Sequence, residues 1–231
     1  MKKDYLIWDL PLRLFHWLLV LTFGALWLTA ELGSEYMEYH MYCGYFMLFL
    51  LGFRVIWGLV GTTHAKFINF FPTLSRVKNY LAPKSSKENN KVAGHNPMGA
   101  IMVFLMLSLL LAQAVSGLFI TDDVFTSGPY NGVLEGDWQK LANRVHDLGF
   151  TLLQAFVALH VAAIIFYKVV KKTNLVKPMF TGKKSSEDVT EASSIKHSKL
   201  LIALVVAVLV AVFIYWLVVV NAPVIEEYYY Y

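Results

Sequence analysis

Five stretches of this chain are long and apolar enough to demand the interior of a lipid bilayer. A helix rises ~1.5 Å per residue and the hydrocarbon layer is ~30 Å thick, so a span needs about 20 apolar residues. The runs at residues 12–29, 39–60, 97–120, 141–170 and 200–220 meet that demand, and the last of them carries no charge. Only 16% of all residues are charged and 57% are hydrophobic, against roughly 25% and about 45–50% in a soluble domain. Such a chain is not disordered, not a basic nucleic-acid binder and not a water-soluble enzyme. Its single cysteine excludes a disulfide scaffold, a Cys-ligated zinc or iron–sulfur site, and covalent c-type haem, which needs C-x-x-C-H. The first run follows Lys2 and Lys3 but ends Leu28-Thr29-Ala30-Glu31, with no small-x-small cleavage site. It reads as a retained helix.

Orientation follows from the basic residues, because lysine and arginine are kept on the cytoplasmic side. With the N-terminus inside, the loop at 61–94 is also inside and carries Lys66, Arg76, Lys78, Lys84, Lys87 and Lys91. The segment after the fourth span adds Lys168, Lys171, Lys172, Lys177, Lys183, Lys184, Lys196 and Lys199. The opposite side holds only Lys140 and Arg144, and is acidic through Glu31, Glu35, Glu38, Asp122, Asp123, Glu135 and Asp137. The expected protein is a multi-pass protein of the bacterial inner membrane, N-terminus cytoplasmic and C-terminus periplasmic. Asn96-Pro97 reads as a helix start, an Asn cap followed by proline at the first helical position. Residues 84–94 are polar and read as a loop; the tail Tyr228 to Tyr231 suggests no function.

The histidines carry the functional signal. His197 reads as a solvated linker residue, and His64 and His95 lie at cytoplasmic helix boundaries. His146 and His160 are 14 residues apart on one helix. At 100° per residue that is about 40° short of four turns, so they share a face, roughly 21 Å apart in depth. His16 lies one turn into a helix that starts inside; His40 opens a helix that starts outside. Two layers result, His16 with His160 at inner depth and His40 with His146 at outer depth.

Ionisable residues inside a membrane are costly and are kept for function. Two opposed imidazoles at one depth can hold a haem iron from both faces, with the slot supplied by a helix bundle. An iron so held has no open position, which favours electron transfer over oxygen binding. Gly24, Gly44, Gly149 and Ala163 offer room beside the histidines, though small residues serve ordinary helix packing equally well. Arg13 at inner depth, Arg144 at outer depth and Arg54 within the second span are candidate propionate partners. Geometry alone also leaves a proton relay, a metal-ion pathway or satisfied polar residues open. Zinc fits poorly, with two imidazoles per layer where a closed site takes four ligands.

The motifs Trp8-Asp9, Arg13, Phe15-His16-Trp17, Leu28-Thr29-Ala30-Glu31, His40 with Gly44, and Phe53-Arg54 with Trp57-Gly58 occur in order along the chain. Gly61-x-x-His64-Ala65-Lys66-Phe67, Gly94-His95-Asn96-Pro97-x-Gly99, Ala142-Asn143 with His146, Ala158-Leu159-His160 and Met179-x-x-Gly182-Lys183 continue them. Together, over residues 5–184, they resemble the bacterial cytochrome b561 family, which includes the cytochrome b subunits of nickel–iron hydrogenases. The resemblance implies an all-α membrane protein: a four-helix transmembrane dihaem bundle with two non-covalent haem b groups. It implies His16, His40, His146 and His160 as axial ligands to the haem irons, and electron exchange between a quinone pool and a partner protein. Residues 1–184 then form the haem-binding domain, 185–198 a cytoplasmic linker, and 199–231 an extra transmembrane helix with an outer tail that the resemblance does not reach.

The leading expectation is therefore a dihaem cytochrome passing electrons between membrane quinone and a periplasmic cytochrome c or hydrogenase-type subunit, with His64 and His95 as candidate quinone-site residues beside Arg54. It is an oxidoreductase component rather than a stand-alone enzyme. The alternatives are a histidine-relay proton or ion transporter, and a redox-inert membrane anchor.

Overall fold

The computed structural model describes residues 3–82, 93–122, 126–187 and 189–223. Lys84, Lys87, Lys91, Asp123 and the tyrosine tail lie outside the described residues. The long helices are α1 (Leu10–Glu31), α2 (Met37–Val60), α5 (Pro97–Ser116), α6 (Gly136–Val169) and α8 (Leu200–Tyr215). Short elements join them: β1 (Asp4–Leu6), α3 (Phe67–Phe70), α4 (Leu74–Leu81), α7 (Val176–Thr181) and β2 (Lys183–Ser185). Five helices among the described residues are long and apolar enough to cross a membrane, the last being α8 extended to Val220 by a wider turn.

Local signals set the boundaries. The Asp9 side chain accepts a hydrogen bond from the Leu12 amide at 2.7 Å, with Pro11 in the first turn of α1. Asn96 does the same for Gly99 at 2.7 Å, directly ahead of Pro97, as the sequence predicts. These side chains satisfy amides that have no intrahelical partner. At 34 residues, α6 is ~51 Å long and outreaches the hydrocarbon layer.

Helix α2 is the centre of the molecule. It pairs with α1 through the 32–36 turn and also meets α5 and α8. Its Leu48, Leu50, Phe53 and Trp57 join Leu12 and Phe15 of α1 and Ala203, Val206, Val210 and Ile214 of α8 in one buried cluster. On another face Met47 and Leu51 meet Leu110 of α5 and Leu153 of α6. The apolar side chains on the outer surfaces of α1, α6 and α8 are exposed, as lipid-facing residues must be.

Residues 183–187 and 189–198 are folded against the end of the bundle that carries the N-terminus. β2 pairs antiparallel with β1, Tyr5 opposite Lys184. The Ile195 amide donates to the Leu6 carbonyl at 2.8 Å, and the Leu10 amide to the Ser198 hydroxyl at 3.1 Å. Val189 is 2% exposed within the main core cluster. Lys199 then donates to the carbonyls of Val60 and Gly61 at 3.3 and 2.9 Å, where α2 ends and leaves carbonyls unsatisfied. His197, as expected, is exposed.

Candidate cofactor site

The structure brings His40 of α2 and His146 of α6 together, with ring centres 6.5 Å apart. The Nδ1 of His40 donates to the Leu26 carbonyl at 3.0 Å, with the Thr29 hydroxyl at 3.2 Å. The Nδ1 of His146 donates to the Gln113 carbonyl at 3.1 Å, with the Ser116 hydroxyl at 3.2 Å. A carbonyl only accepts, so Nδ1 carries the proton in both rings and Nε2 keeps its lone pair. That is how proteins prepare an imidazole for a metal: the second nitrogen is held, which fixes tautomer and orientation.

The spacing suits one iron between the rings. Ring centres 6.5 Å apart would leave room for one iron held by an imidazole on either side. Both histidines line one cavity of about 410 Å³, walled by Trp27, Met41, Phe150 and Leu153. Gly44 lines it too, and a Cβ there would meet nothing within 4 Å. A Cβ at Gly117 would stand 3.1 Å from Cε1 of His146, so the absence of a side chain there admits the ring. Gly149 has a different use from the one its spacing suggests, since it makes room for the Gln113 side-chain amide. The residues therefore fit a haem at this level.

Nearer the N-terminus, His16 of α1 is close enough to His160 of α6 for charges on the two rings to repel. Its Nδ1 is buried without a hydrogen-bond partner among the described residues, unlike those of His40 and His146. Trp17 packs edge-on to His16 with centres 5.1 Å apart and stacks on Phe180 at 4.4 Å. Arg13 donates to the Phe180 carbonyl, and its buried Nε has no partner among the described residues. Gly182, at φ +78°, adopts a left-handed turn that closes α7, and its carbonyl accepts from the amides of Ile7 and Trp8 at 2.8 and 3.0 Å. A side chain there would stand 2.7 Å from the Trp8 carbonyl.

A polar cluster completes this end. Asp9 is fully buried and also accepts from Trp57 Nε1 at 3.2 Å and from the Thr62 hydroxyl. Arg54 is 2% exposed; its Nη1 donates to the Ala65 carbonyl at 3.2 Å and its guanidinium lies 4.4 Å over Phe67. Its Nη2 has no partner among the described residues. His95 packs between Trp8 and Phe70, ring centres 4.7 and 4.5 Å away, with its buried Nδ1 unpartnered among the described residues. Burial, with the neighbouring charges of Arg54 and Lys184 and the imidazoles of His64 and His16, pushes His95 down to about 3. It is neutral at physiological pH.

The sequence-predicted residues thus fall into three groups. His40 faces His146 and His16 lies near His160, Arg13 and Arg54 sit at the N-terminal end, and His64 and His95 lie together there. Arg144 does not line the His40–His146 cavity; it lines a shallower one with Lys140 and Asn143 that shares Asp147. Sequence reasoning missed the part that the Thr29 and Ser116 hydroxyls play beside His40 and His146. Polar residues inside apolar spans were the available signal.

The chain matches the family model of prokaryotic cytochrome b561 over residues 7–182, which leaves α8 outside. It is 23% identical to a probable Ni/Fe-hydrogenase B-type cytochrome subunit of Rhizobium leguminosarum bv. viciae, covering 81% of this chain and 91% of that protein. The corresponding protein of Azotobacter chroococcum mcd 1 is 25% identical, over 79% of this chain and 89% of its own length. A probable Ni/Fe-hydrogenase 1 B-type cytochrome subunit of Escherichia coli (strain K12) is 22% identical, over 79% and 91%. No solved structure matches. Family membership decides for a cytochrome over a transporter or an inert anchor. The chain belongs to the prokaryotic cytochrome b561 family: a multi-pass bacterial membrane protein that carries haem b and takes part in electron transport.

Proposed function

We propose that the chain is a dihaem cytochrome that passes electrons between membrane quinone and a redox partner on the periplasmic side. The observation that carries this reading is the pair of imidazole levels, above all the 6.5 Å clamp of His40 and His146 with both Nδ1 atoms held by carbonyls. Haem b supplies a one-electron couple. The chain's own work is to fix ligand orientation, exclude water and place two cofactors at different depths. His16 and His160 hold one near the cytoplasm; His40 and His146 hold the other, roughly 21 Å away along α6. Two levels at that separation span most of the ~30 Å hydrocarbon layer.

The N-terminal cluster suits a quinone. Arg54 Nη2 is a donor without an acceptor, and a quinone carbonyl is an acceptor. Quinone chemistry also moves protons, and imidazole is the side chain that exchanges them near neutral pH. Arg13 and Arg54 serve equally as partners for haem propionates.

Glu31, Glu35, Glu38, Glu135 and Asp137 are exposed at the opposite end. With the N-terminus in the cytoplasm, this acidic rim faces the periplasm and suits a partner with a basic contact surface. The curated relatives are named as hydrogenase subunits, so a hydrogenase-type partner is the first choice and a periplasmic cytochrome c the second. The test is haem reduction by quinol in detergent-purified protein. His95→Ala should retain its haem and lose at least tenfold in rate; an unchanged rate removes His95 from the site.

A further inference from the structure

We propose that His64 is the proton exit of the N-terminal quinone site, held in the working tautomer by the folded segment 183–198 that follows the family-matched part of the chain. The proposal rests on the reading of that cluster as a quinone site.

His64 is half-buried, in the turn between α2 and α3. Its Nε2 donates to the Ser193 carbonyl at 2.7 Å. Because a carbonyl offers no proton, neutral His64 must carry its hydrogen on Nε2 and leave Nδ1 as the acceptor. That Nδ1 faces Gly94: a Cβ at residue 94 would stand 3.2 Å from it and 3.7 Å from Cβ of His64. Gly94 directly precedes His95, and Trp8 packs edge-on to both imidazoles, 6.3 Å from His64 and 4.7 Å from His95. The two rings therefore share one wall, with a residue lacking a side chain between them.

Their environments divide the labour. His95 lies deep, facing Arg54 of α2, Lys184 of β2, His16 of α1 and His64 of the loop, with the Asp9 carboxylate beyond Arg54. Held at about 3, it passes a proton on but does not store one. His64 lies nearer solvent, half-buried in the turn. Oxidation of one quinol gives up two electrons, which bound haem would accept one at a time, and two protons. Each proton leaves a quinol hydroxyl for the buried Nδ1 of His95. The other nitrogen of that ring gives up a proton, which reaches Nδ1 of His64 and then cytoplasmic water. Each passage leaves His95 neutral in the other tautomer, which reverts to the first before the second proton follows, and quinone reduction runs the same path backwards.

The segment that fixes His64 is tied down independently of it, by β1–β2 pairing, by Ile195 to Leu6 and by buried Val189. The Ser193 carbonyl is therefore a fixed acceptor.

The experiment compares His64→Ala, Gly94→Ala and His95→Ala in the full-length haem-loaded protein, reading quinol-driven haem reduction by stopped flow, haem content, and reduction by dithionite. We expect His64→Ala to slow quinol-driven reduction at least tenfold, with recovery on adding imidazole, and with haem content and dithionite reduction unchanged. Gly94→Ala, which crowds Nδ1 while keeping both rings, should slow the same reaction severalfold. A normal rate in His64→Ala with a slow His95→Ala overturns the exit and leaves the quinone site standing. Normal rates in both overturn the quinone site and the exit with it. A slow His64→Ala that imidazole does not restore, beside a normal Gly94→Ala, marks a structural role and also overturns the exit.

Discussion

An imidazole in a membrane binds a metal well only when its second nitrogen is occupied. His40 and His146 meet that condition through carbonyls of Leu26 and Gln113 and hydroxyls of Thr29 and Ser116. Loss of one such outer partner weakens metal affinity by 10–100-fold. Ser116→Ala removes the weaker of two contacts to His146, so haem retention at that level should fall about 10-fold, read by haem titration into stripped protein. His95 gives a second expectation at this scale. Its folded value, about 3, lies below its ordinary 6.5, so the unfolded chain binds the proton first as pH falls. The stability present above pH 6.5 is then lost progressively toward pH 3. Melting temperature should drop more steeply from pH 7 to pH 4 in the native protein than in His95→Gln; parallel curves would show that His95 is not buried as described. The approach of His40 to His146 was legible because depth and face follow from residue number along a helix. The Nδ1 partners were not, since two of them are main-chain carbonyls and every residue has one.

At the scale of elements, α8 and the segment before it show where sequence pattern loses its grip. The apolarity of α8 identified a span but not its seat, because a helix that is apolar all round has no stripe to point inward. Close approach decides the seat: a Cβ at Gly52 of α2 would stand 2.9 Å from Val210 Cγ1. Its far end is held by Tyr130, whose hydroxyl donates to the Leu217 carbonyl at 2.9 Å. Gly52→Leu should force α8 outward at an overpacking cost of about 1–3 kcal/mol, lowering the melting temperature while leaving the haem spectrum unchanged. Loss of haem in that variant would mean that α8 shapes the cofactor sites. Residues 183–198 looked like a linker because they are polar. Their order comes from strand pairing with residues 4–6, a contact that spans nearly the whole chain and has no local trace.

At the scale of the molecule, the bundle is centred on α2, and the proposed cofactors lie at two depths between α1, α2 and α6. The helical membrane class was legible from run length alone, and the two levels from histidine spacing. The sealing of the N-terminal end was not, because it joins β1, the α2–α3 turn and the segment after α7. Charge placement predicts that reporters fused after residue 82 and after residue 187 are active in the cytoplasm, and one replacing the C-terminal tail is active in the periplasm; the reverse pattern would invert the proposed flow. An acidic periplasmic rim predicts that reduction of a basic partner slows as ionic strength rises. The central claim is that imidazoles from three spans hold two haems. It is tested most directly by pyridine haemochrome quantitation of purified protein, native and with single alanine replacements of the four histidines. Two haem b per chain, falling to one in His40→Ala and in His146→Ala with the inner haem still low-spin, is the predicted result. One haem in the native protein, or an unchanged count in all four variants, would contradict it.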